Sequence, residues 1–181
     1  MDGLILDLVG TVVTVIALLF TGIQVLLLVS EIRQNKKWNT QNAAFNYCMS
    51  YSELEANIDE KCINSFLENL AKATPDMPVD LKSKQSKKAV KDITIILQYF
   101  ERLSVGLVCG YFDEEVVRRV MNRTFVETYN RYRPYIEYRR KITSSKICSH
   151  FDRVANTWEN IPVSYPYRTV PSAKKHRQVN S

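Results

Sequence analysis

The chain opens on an unbroken apolar run and then changes rhythm. Between Leu8 and Val29 no residue carries a charge, a stretch of about 22 residues, which at about 1.5 Å rise per residue crosses a hydrocarbon layer of roughly 30 Å. Beyond Arg33 the apolar residues recur at spacings of three and four, the mark of helices with one buried face. Glycine and proline number only five and six, and no alternation of strands with helices is visible. The pattern predicts an all-α fold in which one N-terminal transmembrane helix continues into a cytoplasmic helical bundle.

Three segments follow from this pattern: an anchor over 1–33, a helical domain over 34–160 and a disordered basic tail over 161–181. The anchor helix is expected to run on past Lys37 through Trp38, Gln41, Phe45, Cys48 and Ser52, since neither glycine nor proline occurs between there and Pro75. A second helix starts at Asp59 and ends near Lys72, with Ile63, Phe66, Leu67 and Leu70 on one side, before the loop Thr74 to Pro78. The third, from about Val79 to Cys109, turns Val90, Ile93, Leu97, Phe100, Ser104 and Leu107 inward and ends at Gly110. Asp113 caps the fourth, with Glu114 and Glu115 in its first turn, where the helix dipole favours negative charge. Val117, Val120, Met121, Thr124 and Tyr132 are its inner positions, and Pro134 ends or kinks it. Ser144 or Ser145 caps a last helix carrying Cys148, Phe151, Val154, Ala155 and Trp158.

Charge divides the chain unevenly. All 25 Lys and Arg lie beyond residue 32, against 16 of the 19 Asp and Glu (the others are Asp2, Asp7 and Glu31), a net of +9. Arg33, Lys36 and Lys37 flank only the C-terminal side of the apolar run, so the positive-inside rule puts the N-terminus outside and the domain in the cytoplasm, at the inner (plasma) membrane. Trp38 fits the interfacial belt. A cleavable leader would begin with positive charge and end in small residues, whereas this run begins with Asp2 and Asp7. The sequon Asn122, Arg123, Thr124 is then a chance match. Lys82, Lys84, Lys87 and Lys88 read as a solvated basic face. Arg168, Lys174, Lys175 and Arg177 place the tail, which has no acidic residue, against lipid headgroups.

Within the apolar run, Gly3, Asp7, Gly10, Thr14, Ala17, Thr21 and Gln24 alternate at spacings of four and three. Such a stripe of small and polar residues lets helices approach closely and gives hydroxyl and amide groups partners across the contact. Gly10, Thr14, Ala17, Thr21 and Gln24 therefore mark a transmembrane interface, with a second copy of the chain or with a different helix. Asp7, at the membrane edge, stays hydrated and is not read as a proton relay.

Candidate chemistry is sparse. Cys48, Cys62, Cys109 and Cys148 are far apart and read as reduced core thiols. His150 and His176 have no ligand partner at metal-binding spacing, so no metal or other cofactor is expected. Glycine-rich phosphate loops, a Gly-x-Ser-x-Gly elbow and HExxH are absent, and no catalytic residue is assigned. Glu101 and Arg102 read as a structural ion-pair position, Glu101 meeting Arg131, Arg133 or Arg139 of the following helix. Arg131, Arg133, Arg139, Arg140 and Lys141, interleaved with Tyr135 and Tyr138, have the composition of an anionic-ligand site, and equally that of an amphipathic helix end with a basic rim.

The stretch from Leu97 to Trp158 (LQYFERLSVGLVCGYFDEEVVRRVMNRTFVETYNRYRPYIEYRRK, then HFDRVANTW) resembles the bacterial domain-of-unknown-function family numbered 4760. Phe100, Glu101, Arg102, Gly106, Gly110, Asp113, Glu114, Glu115, Tyr132, Pro134 and Arg139 carry the likeness. The resemblance implies a bacterial or phage-borne membrane-anchored helical protein without an assigned activity. Two functions fit these observations. One is a non-enzymatic interaction or regulatory protein, with membrane lipids, a partner helix and an anionic ligand as partners and nucleic acid not expected. The other is a ligand-triggered effector, as in defence against phage, that binds an anionic signal and perturbs the membrane.

Overall fold

The computed structural model describes residues 2–73, 81–144 and 146–160, with backbone alone at 2–9, 12 and 13. The stripe side chains of Gly3 and Asp7, the loop at 74–80, Ser145 and the basic tail lie outside the described residues. Among them the chain is all-α, with five helices: α1 (Asp2–Ala56), α2 (Glu60–Ala71), α3 (Lys84–Val108), α4 (Glu114–Ile142) and α5 (Ser149–Glu159).

Helix α1 does two jobs along one axis. The described side chains of its first half are exposed, including Leu18, Phe20, Leu26 and Leu28, and it is long and apolar enough to cross a membrane. Its second half turns Ala44 and Cys48 into the core, with Tyr47, Tyr51 and Leu54 half-buried beside them. Phe45 and Trp38 face outward.

Helices α3 and α4 form an antiparallel pair, and their connection is written in the sequence. Gly110 adopts φ 70°, the left-handed conformation that ends helices at little steric cost. Tyr111 N donates to the Gly106 carbonyl at 2.8 Å and Gly110 N to Leu107 at 3.1 Å, closing a Schellman motif. Gly106 also admits the ring of Phe112, which a Cβ there would meet at 2.3 Å. Asp113 then caps α4 by accepting from the Val116 amide at 3.1 Å. The turn docks on α1, where Gln41 Nε2 reaches Asp113 Oδ2 at 3.2 Å.

The other helices clasp this pair. α2 and α5 each pack on both α3 and α4, and α1 lies along α4. Phe100 is the hub: fully buried, it stacks on Phe151 at 5.1 Å and meets Phe125 and Tyr51 edge-on. Each such ring pair adds about 0.5–1.5 kcal/mol beyond its buried area. Tyr99 and Tyr47 tie α3 to α1, their rings 4.8 Å apart and each hydroxyl bonded to the other's backbone carbonyl.

Several expectations are corrected. α3 begins at Lys84 behind Ser83, whose hydroxyl caps Ser86 N at 3.0 Å. Pro134 does not end α4, which continues to Ile142; the position is exposed, so water can serve the carbonyl that proline leaves unbonded. On α4, Phe125 and Tyr129 join Val117, Met121 and Tyr132 among the buried positions, whereas Val120 is 43% exposed and Thr124 half-buried. Cys109 is exposed rather than in the core.

Candidate functional site

The polar and charged groups singled out above separate into those the fold uses internally and those it leaves facing out. Glu101 belongs to the first group, and its partner is not an arginine. Its Oε2 accepts from Phe151 N at 2.9 Å, and its Oε1 lies 3.3 Å from His150 N and 2.8 Å from His150 Nδ1. The reason is local: α5 starts after Cys148, which is left-handed (φ 54°) and provides no side-chain cap. A carboxylate from α3 supplies what the sequence next to α5 lacks, with a charge matched to the helix dipole. Arg102 is exposed on α3 near Tyr47 and does not pair with Glu101.

Arg140 is also internal. Its guanidinium donates to the carbonyls of Ile147 and Cys148 and to Asp152 Oδ2 at 3.0 Å, tying the α4–α5 connection. Burial pushes the Asp152 carboxyl upward, but hydrogen bonds from Tyr129, Arg140 and Asn156, with the Arg140 charge, outweigh it and leave the group below its ordinary value. Burial, reinforced by Asp152, lifts the Tyr129 hydroxyl to about 12.

Arg131 is spent on α2, where it meets both oxygens of Glu60 and donates to Asn64 Oδ1 at 2.7 Å. Arg133 pairs with Glu137 one turn on. At the start of α2, Asp59 caps Cys62 N and accepts from Lys88 Nζ at 2.6 Å, while its own amide donates to the buried Asp92. The Lys88 hydrogen bond, with those from Cys62, holds the Asp59 carboxyl well below the usual carboxylate range. Among the described residues no three His, Cys, Asp or Glu side chains converge as metal ligands would.

Arg139, Tyr135 and Tyr138 remain, and with Lys87, Leu81 and Val90 they line a recess of about 160 Å³ between the end of α4 and the start of α3. Lys141 is exposed nearby in sequence, whereas Arg131, Arg133 and Arg140 are engaged elsewhere. The sequence reading missed Lys87 here because it lies about 50 residues from Arg139, and only the antiparallel pairing of α3 with α4 brings the two together. Beside the recess, Lys84, Lys88 and Lys91 line an open groove that also takes in Lys87 and Cys62.

A protein family described as Domain of unknown function (DUF4760) matches residues 8–158. The chain belongs to this family. The DUF4760 match begins inside the apolar half of α1 and ends at Trp158, the last large core side chain among the described residues, so the apolar helix and the bundle fall within one family unit. No curated protein and no solved structure gave a significant match.

Proposed function

We propose that this member of the DUF4760 family is a single-pass, membrane-anchored interaction protein without catalytic activity, its N-terminus outside and its helical domain cytoplasmic. The observation that carries the reading is α1 itself: from Val15 to Ile32 its large apolar side chains are exposed, and the same unbroken helix buries Ala44 and Cys48 in the bundle. So much continuous apolar surface calls for lipid or a partner helix. Positive charge on the C-terminal flank alone supports the orientation.

The small-residue stripe supports association within the membrane. Thr14 and Thr21 return their hydroxyl hydrogens to the carbonyls of Gly10 and Ala17 at 2.8 and 2.9 Å, which leaves their oxygens as acceptors. Gln24, exposed and without a hydrogen bond to any described residue, supplies the donor. Nothing within 4 Å would meet a Cβ on Gly10, so a neighbouring helix has room there.

The test is fractionation of cells carrying the full chain, together with protease access to a C-terminal tag and self-association of the membrane segment. Retention in membranes after carbonate washing, a tag cleaved only in inverted vesicles, and weaker association when Gly10, Thr14 and Thr21 are changed to Leu are expected. Release by carbonate would sink the anchor reading, and cleavage in intact cells the orientation.

A further inference from the structure

The end of the bundle opposite the α1–Asp113 contact carries positive charge that no described acidic residue pairs. The first two turns of α3 hold Lys84, Lys87, Lys88 and Lys91, and no acidic residue occupies the first turn. A helix N-terminus already carries about half a positive charge, so cations there are disfavoured by the helix itself. Lys88 pairs with Asp59. Lys84, Lys87, Lys91 and Arg139 form no ion pair with any described residue.

Shape adds to charge. Lys87 is shared by the recess under Arg139 and the open lysine groove. The recess, with apolar walls from Leu81, Val90 and Tyr135, is smaller than the roughly 300–1,000 Å³ that whole drug-sized ligands fill. It fits one ring, with the charged remainder lying along the groove. Arginine and lysine together suit phosphate oxygens, the arginine by its fork and the lysines as point charges.

We propose that this end binds a small phosphorylated ligand with a di- or triphosphate chain, its phosphates over Lys84, Lys87 and Lys91 and a ring against Tyr138 beneath Arg139. This deepens the reading of the chain as an interaction protein by naming what its far end recognises. A lipid headgroup of the anchoring membrane is the less suitable source. The α3–α4 turn sits at Thr40 and Gln41, next to the apolar half of α1, and α3 carries its lysines roughly 26–36 Å away along its axis.

ATP titrated into the full chain in detergent micelles tests the proposal, with inorganic tripolyphosphate and phosphatidylserine vesicles as parallel probes. Saturable ATP binding is expected that weakens with salt, falls at least tenfold in Lys87→Gln or Arg139→Gln, and is unchanged in Arg133→Gln. Glutamine keeps the stems of both side chains, and unchanged helicity by circular dichroism shows that the variants fold. Absence of saturable binding to ATP and tripolyphosphate, undiminished binding in both Gln variants, or binding to the vesicles alone would overturn it. Because the titration is done in detergent, its failure is separate from failure of the membrane fractionation.

Discussion

Glu101 and Phe151 meet across the bundle through one hydrogen bond, a carboxylate oxygen of α3 accepting the first-turn amide of α5 at 2.9 Å. The bond fixes where α5 begins, since Cys148 at its N-cap offers no side chain of its own. Glu101→Ala should cost about 2–3 kcal/mol, because it strands amides that folding has desolvated. Glu101→Gln, which keeps an acceptor, should cost less. Thermal unfolding in detergent, with hydrogen exchange at the α5 amides, reads both; an Ala variant as stable as the native chain would remove Glu101 from this role.

Asp152 predicts an acid-side loss of stability. Its carboxyl is lowered in the folded chain, so its stabilisation is complete above the unfolded value of about 3.9 and declines as pH falls toward the folded one. Asp152→Asn should lower stability by about 2 kcal/mol near neutrality, and the gap from the native chain should narrow below about pH 4. Melting temperatures of both forms across the acid range check this; a gap that persists undiminished at the lowest pH contradicts it.

At the aromatic hub, Phe100→Ala should cost about 3–5 kcal/mol and Phe100→Leu distinctly less, in proportion to the space left. The chain should also lose the near-ultraviolet circular dichroism of its packed rings. Chemical denaturation of the two variants side by side makes the comparison.

The thiols should divide by exposure. Cys109 lies open near the α3–α4 turn, whereas Cys48 and Cys148 are buried, and burial lifts both to about 11. A maleimide at neutral pH should label Cys109 first and reach Cys48 and Cys148 only on unfolding. Cys109→Ser should abolish the fast phase, and rapid labelling of Cys48 in the folded chain would contradict its place in the core.

What could be read from sequence was what neighbours in sequence decide. Gly110 and Asp113 act within one turn of themselves, so their roles as helix end and helix start were visible in the letters alone. The Glu101 cap was not, because it joins residues about 50 positions apart; the sequence offered Ser144 or Ser145 as the cap, whereas α5 starts only after Cys148, which has no side-chain cap. The inner face of α4 was drawn too narrow: four other helices touch it, so Val117, Met121, Phe125, Tyr129, Tyr132 and Ile136 are all buried. In the candidate ligand set, composition could not separate arginines already held by Glu60, Glu137 and Asp152 from Arg139, which is not. That distinction depends on which helix lies opposite.

The unbroken course of α1 locks two surfaces in phase. At about 100° per residue, the stripe from Gly10 to Gln24 and the face bearing Ala44, Cys48 and Tyr51 point roughly 170° apart around one axis. A helix seated on the stripe would therefore approach from nearly the far side of the bundle. Two copies joined there would carry their domains back to back with the membrane helices between, and the distal lysine ends would look outward. A single residue inserted between Ser30 and Thr40 would turn one surface by about a quarter turn against the other, whereas seven would bring them nearly back into register.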